Sequence, residues 1–234
     1  MKFLTKTIVL LSFISLFNDI ASEMLYPIMP LYLKSIGFSI VVIGILEGFA
    51  EAVAGFSKGY FGKLSDHKGR RVPFIQLGYA LSAISKPMLA VFTFPVWVFF
   101  SRSLDKVGKG IRTGARDALL SDEATPETKG KVFGFHRSMD TMGAVLGPVV
   151  ALIYLHFFPQ DYKTLFLITF APGVLTVIAS FLLKDKPKQI TEKKNISFFS
   201  FIHYWKESSP EYKKLIIGLL LFTLFNSSDV FFAS

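Results

Sequence analysis

Long apolar runs separated by short polar blocks dominate this chain, and the length of the runs decides what they are. A helix needs about 20 mainly apolar residues to cross a hydrocarbon layer roughly 30 Å thick. Six runs meet that length: Thr7 to Leu33, Ile40 to Phe61, Val72 to Phe94, Pro95 to Gly114, Val132 to Phe158 and Thr164 to Leu183. A seventh begins at Lys214 and reaches Ser234. Pro27 and Pro30 are expected to break or bend the far end of the first span. Phe94-Pro95 leaves so little chain between the third and fourth spans that they form a tight hairpin, with Pro95 in a first helical turn. Thr125-Pro126-Glu127 reads as the start of the fifth span's helix. Between the second and third spans, Gly62 to Arg71 (GKLSDHKGRR) is read as a tight, strongly basic turn in water.

Composition agrees with the runs. With 51% hydrophobic residues, 26 phenylalanines and a mean hydropathy of +0.47, the chain is too apolar for an ordinary soluble domain. The expected fold class is an all-α membrane protein. A net charge of +9 would suit nucleic acid, but the bases fall in alternate loops, so no nucleic-acid partner is expected. One set of loops holds only Lys34 and Lys163. The other holds Lys2, Lys6, Lys63, Lys68, Arg70, Arg71, Arg116, Lys129, Lys131 and the basic 184–214 segment. The positive-inside rule puts this second set, and the N-terminus with it, in the cytoplasm. The absence of cysteine excludes disulfides and thiolate metal sites. His67, His136, His156 and His203 are dispersed, and no Gly-rich phosphate loop ends in Lys-Ser/Thr. Neither a metal nor a cofactor is expected, and an enzyme or an ATP-driven pump is disfavoured.

Charges inside the spans carry the candidate chemistry. Span 1 has Asn18, Asp19 and Glu23; span 2 has Glu47 and Glu51; span 4 has Arg102, Asp105, Lys106, Lys109 and Arg112; span 5 has His136, Arg137 and Asp140. Spans 3 and 6 carry only Lys86 between them. A charge at mid-helix costs about 2.5–3.5 kcal/mol on insertion scales, so these groups must face protein or a wet cavity. Spans 1, 2, 4 and 5 are therefore expected around an interior, with 3 and 6 toward lipid. The span 4 charges recur at helical spacing as one polar stripe, read either as an ion-pair ladder or as a substrate path. Glu47 and Glu51 lie one turn apart, as do Asp19 and Glu23; in each pair either one member holds an exchangeable proton or both acids simply pair with bases on span 4. Arg137 and Asp140 join the same pathway set.

Gly62, Leu64, Asp66, Gly69, Arg70 and Arg71 resemble the signature between helices 2 and 3 of the major facilitator superfamily. Gly62, Asp66, Gly69, Arg70 and Arg71 are then the candidate conformational-switch loop, with Asp66 expected to cap span 3 and to pair with Arg112 or Arg116. Gly134, Gly143, Gly147 and Pro148 resemble the antiporter signature of the family's fifth helix, which implies export; the pattern departs at Ala151 and Leu152. Arg102 is similar to the arginine of the fourth-helix motif, which departs at Asp105 and Lys106. Ser15-Leu16-Phe17-Asn18 is echoed by Thr223-Leu224-Phe225-Asn226 at an offset of 208 residues, each followed by an acid, Asp19 and Asp229. Such an offset fits the parallel halves of this superfamily.

The resemblance implies residues 1–183 as a six-helix N-terminal domain, 184–213 as a cytoplasmic linker and 214–234 as an incomplete helix 7. Within the linker, KDKPKQITEKK precedes an aromatic SFFSFIHYW, read as a surface helix or a plug under the bundle. The expected function is secondary active transport, as proton-coupled export of a small molecule by alternating access. Its expected partners are the lipid bilayer, protons and a missing C-terminal six-helix half, in a bacterial inner (plasma) membrane. An inactive or regulatory membrane fragment and a membrane-embedded enzyme are the alternatives.

Overall fold

The computed structural model describes residues 4–185 and 205–225; Asn226, Asp229 and the SFFSFIHYW segment as far as Tyr204 lie outside the described residues. The chain divides into two compact units, Met1–Lys193 and Lys194–Ser234. The second holds α8 (Pro210–Phe225), and the first holds α1 to α7.

Helix α1 (Lys6–Glu23) starts on Thr5, whose hydroxyl accepts from the Ile8 amide at 3.2 Å. It stops ahead of Pro27, and the chain resumes as α2 (Met29–Ser35) with Pro30 in its opening turn. The first span is thus two helices, because Pro27 has no amide to continue the ladder and its ring obstructs the turn before it. Tyr32 ties α2 down by donating its hydroxyl to the Leu89 carbonyl at 3.3 Å and setting its ring edge-on to Phe166 at 4.7 Å. Gly37, at φ 93°, makes the bend into α3 (Ile40–Lys68), a conformation that strains any residue with a Cβ.

Helix α3 does not stop at Phe61. Gly62 to Lys68 are helical, and the water-side turn shrinks to Gly69, Arg70 and Arg71. Helical hydrogen bonding continues beyond the apolar stretch, His67 and Lys68 suit the negative end of the helix dipole, and Gly69 at φ 61° closes the helix in the left-handed conformation. Helix α4 (Val72–Val91) follows, and its first amides are capped from a distance: the Asp185 carboxylate accepts from Arg71 N at 2.9 Å and from Val72 N at 3.2 Å. Helix α5 (Pro95–Glu123) continues past Gly114 through Ala115, Ala118, Leu119 and Leu120, all good helix formers. The 125–128 turn, in which Thr128 Oγ1 accepts from Thr125 N at 3.0 Å, precedes α6 (Lys129–Phe157). Asp161 caps α7 (Tyr162–Ser180) through the Thr164 amide at 3.2 Å. The Tyr154 hydroxyl at 2.8 Å, with Thr164, holds the Asp161 carboxyl below its ordinary range.

Around the bundle the packing order is α3, α5, α4, α7, α1, α6, with α1 and α5 also touching across the middle. Helices α3, α4, α6 and α7 are long and apolar enough to cross a membrane, and α1 and α5 pack among them. The expected division of helices changes in one respect. Helix α4 carries little charge yet is the most enclosed of these four, because α5 and α7 flank it and bury Tyr79, Ser82 and Lys86. Helices α3 and α6 present more apolar surface outward, through Val41 and Ile45 on one and Val145 and Leu152 on the other. The core gathers where α1, α4 and α6 begin and α5 ends, around Ile8, Leu11, Ile75, Tyr79, Leu120 and Val132.

Glycines set the closest helix crossings. A Cβ on Gly108 would stand 2.6 Å from the Gly78 carbonyl oxygen, and one on Gly114 would stand 2.9 Å from Gly62 Cα, so α5 meets α4 and α3 backbone to backbone. A Cβ on Gly143 would lie 2.8 Å from the Leu16 carbonyl oxygen and from Asp19 Cβ, and one on Gly147 would lie 2.8 Å from Met24 N, which seats α6 on α1. Gly134 has nothing within 4 Å. Gly143→Ala is therefore expected to destabilise the bundle by about 1–3 kcal/mol through overpacking. Gly134→Ala should be neutral or stabilise by up to about 1 kcal/mol through helix propensity. Unfolding in mixed detergent micelles checks both, and equal effects would remove the packing argument.

Candidate functional site

The charges of α5 fan across one side of the helix and meet different partners. At about 100° per residue, Arg102, Asp105, Lys106, Lys109, Arg112 and Arg116 cover an arc of about 120°. Its two edges and its centre face different helices. On one edge, Arg102 Nη2 donates to both carboxylate oxygens of Glu47 on α3, at 2.7 and 2.8 Å, while Lys106 pairs with Glu51 one turn along. The opposite edge meets α4, where Asp105 lies 3.6 Å from the buried Lys86 ammonium, and Arg112 donates to Ser82 Oγ at 2.6 Å while lying over the Tyr79 ring at 5.1 Å. At the centre, Arg116 faces α1 and α6, donating to Ser15 Oγ at 2.9 Å and standing 3.9 Å from Asp140.

Between α1, α5 and α6 lies a cleft of about 330 Å³ whose walls carry Asp19, Glu23, Lys109, Arg112, Arg116, Arg137 and Asp140. Asp140 is held loosely, with Arg137 at 3.8 Å and His136 at 3.6 Å, and its Oδ1 is buried without a hydrogen bond. The structure thus brings together Asp19, Glu23, Lys109, Arg137 and Asp140 from the sequence set. Arg102, Asp105, Lys106, Glu47 and Glu51 form a separate ion-paired seam joining α5 to α3 and α4. His136 and Arg116 also contribute, though neither stands in the pathway set. His136 is buried with its Nδ1 3.2 Å from Ser12 Oγ, and its one-turn spacing from Asp140 was the available signal.

At the 69–71 turn, two expectations change. Asp66 neither caps α4 nor reaches Arg112 or Arg116; it pairs with Arg71, which also stands 3.8 Å from Asp122. The capping role belongs to Asp185, because Asp66 is inside α3, where its carboxylate extends from the helix side toward its neighbour five residues on. Within the seam, Asp105 lies closer to Lys86 than to Arg102, whose guanidinium is 4.0 Å away and already committed to Glu47.

The family model described as Major Facilitator Superfamily matches residues 11–234. The chain belongs to this superfamily. Among its major facilitator relatives, an uncharacterized MFS-type transporter of Methanocaldococcus jannaschii is 35% identical over 229 residues, which is 98% of this chain and 56% of that protein. The quinolone resistance protein NorA of Staphylococcus aureus is 26% identical over 166 residues, 70% of this chain and 42% of NorA. The chain spans about half the length of the curated relatives it matches. A crystal structure of a POT family transporter in complex with 5-aminolevulinic acid superposes with a TM-score of 0.71 over 95% of this chain and 48% of that one, at 13% identity. That likeness speaks for the fold: the all-α bundle α1–α7 is the N-terminal helix bundle of a major facilitator, in a family of transporters, not enzymes.

Within this major facilitator bundle, the signature glycines act through space. Gly62 is a helix-crossing contact to Gly114, Gly69 is the left-handed cap of α3, and Gly143 and Gly147 let α1 and α6 touch, while Pro148 is carried inside α6. The seam yields a direct test. Lys86→Met leaves Asp105 facing only the distant, occupied Arg102, and breaking a buried pair on one side costs about 3–5 kcal/mol. Lys86→Met combined with Asp105→Asn should recover most of that loss. Detergent-denaturant unfolding of both variants measures it, and wild-type stability in the single variant would count the pair as energetically idle.

Proposed function

We propose that this chain supplies the N-terminal half of a secondary active transporter that exports a small molecule in exchange for protons by alternating access. The observation that carries the reading is the mixed-charge cleft between α1, α5 and α6, backed by a seam of ion-paired charges that no lipid-facing surface would tolerate. The cleft needs an opposite wall, which in this fold family is a second six-helix half rocking against the first. The lengths of the relatives, about twice that of this chain, support such a partner. In this reading residues 1–183 are the moving half, 184–213 the linker and 214–234 the start of helix 7. The segregated bases put the N-terminus and the Gly69–Arg71 turn on the cytoplasmic side of a plasma membrane. The helix-crossing glycines Gly143 and Gly147 support the likeness to exporters.

Arg102 and Asp105 lie about 10 to 15 Å along α5 from Pro95, near the centre of a roughly 30 Å core. Asp19, Glu23, Glu47 and Glu51 form the pool from which the coupling proton is drawn. In proteoliposomes of the complete transporter, Arg102→Gln is expected to abolish pH-driven flux because it strands Glu47. Among Asp19→Asn, Glu23→Gln, Glu47→Gln and Glu51→Gln, the proton carrier's variant should keep substrate exchange and lose the pH dependence. Full pH-driven transport in all four would end the coupling reading.

The Asp66, Gly69, Arg70 and Arg71 group acts on the switch between conformations. It ties the end of α3 to the end of α5 through the contacts of Arg71 with Asp66 and Asp122. Asp66→Asn should slow turnover several-fold with little change in KM. A large rise in KM at unaltered turnover would place this group in binding instead.

A further inference from the structure

The charges of the cleft are sorted by wall. Asp19 and Glu23 are one turn apart on α1, while Lys109 and Arg112 are three residues apart on α5, and all four line the same cavity. On the third wall, α6, Asp140 and Arg137 stand within 4 Å of each other, and Arg116 of α5 already reaches Asp140. Asp19 accepts from the neighbouring Asn18 amide at 3.0 Å, and Arg112 is anchored to Ser82 at 2.6 Å. Glu23 and Lys109 are different. Among the described residues neither carboxylate nor ammonium has a hydrogen-bond or ion-pair partner, and no ion pair within 4 Å joins the acids of α1 to the bases of α5.

Opposite charges set on two walls of one cleft are poorly served by an occupant of one sign. An anion would neutralise the α5 wall and leave two carboxylates of α1 uncompensated; a cation would do the reverse. We infer that the cleft is a subsite for a small dipolar solute, its cationic group held by Glu23 with Asp19 and its anionic group by Lys109 with Arg112. This rests on the transporter reading and specifies its substrate class: a compact molecule with one amine-type cation and one carboxylate- or phosphate-type anion. Both pairs of charges line one cleft of about 330 Å³, so a single solute can meet the two walls at once. Arg112, held in place by Ser82 and the Tyr79 ring, supplies a preorganised anion donor, whereas the flexible Lys109 adapts to solute length.

The test uses the complete transporter, purified in detergent and in proteoliposomes. The probes are the standard amino acids, ω-amino acids and phosphoethanolamine, each compared with its amine-less acid and its acid-less amine. At least one dipolar probe is expected to bind, read by thermal stabilisation, about tenfold to a hundredfold more tightly than both of its single-charge analogues. Glu23→Gln should erase the preference over the amine-less acid, and Lys109→Gln the preference over the acid-less amine, while Glu23→Asp and Lys109→Arg retain most of each. An amine-less acid binding as tightly as its dipolar parent, with affinity rising as pH falls, would overturn the proposal in favour of an anion carried with a proton. Equal weakening of all probes by Glu23→Gln would also overturn it, by giving Glu23 a structural role. pH-driven flux of a single-charge solute would leave the transporter reading standing without the dipolar site. No flux of any solute would remove both.

Discussion

Helix α5 is too polar to meet lipid, and the bundle is arranged around that constraint. It carries bases and an acid through much of its length, so each charge must find a protein partner or water. The partners come from different helices: carboxylates on α3 at one edge, an ammonium and a hydroxyl on α4 at the other, and the cleft walls of α1 and α6 between. Because the edges of α5 are matched to different neighbours, its rotation about its own axis is fixed by charge as well as by packing. The glycines at 78, 108, 110 and 114 let those neighbours come near enough for short side chains such as Ser82 to serve as partners.

Much of this was legible from residue order. The six apolar runs, the tight Phe94-Pro95 hairpin and the break near Pro27 follow from length and from proline chemistry, which act locally. The seam was half legible. Helical spacing collected Arg102, Asp105, Lys106, Lys109 and Arg112 on one side of α5, but which neighbour each meets depends on how α3 and α4 lie against it, and no local rule supplies that. Lys86 is the clearest case, since a lone lysine in an apolar run gives no sign of the acid it will meet. Asp185 was invisible for the same reason, being more than a hundred residues from the amides it caps. Hydropathy leaves the ends of α3 and α5 short because it marks where lipid ends, whereas helices end where capping and backbone geometry stop them.

The two sets of intramembrane charges differ in how firmly they are held. In the seam, Arg102 and Lys106 hydrogen-bond to Glu47 and Glu51 and tie α5 to α3, while Asp105 stands 3.6 Å from Lys86 of α4. Around the cleft, Asp140 meets its cations at 3.6–3.9 Å, and Glu23 and Lys109 face open space. Tight pairing suits a scaffold that must not rearrange. Loose pairing suits groups that can exchange partners, because little is lost when the first contact is given up.

The Asp185 cap links two places that are otherwise unrelated. Its carboxylate closes the first amides of α4 beside the Gly69–Arg71 turn, and it sits where the chain leaves α7. The head of α4 thus depends on an acid more than a hundred residues further along the chain. Neutralising that one side chain strips two amides of their acceptor at once, so the start of α4 and the turn before it fray together.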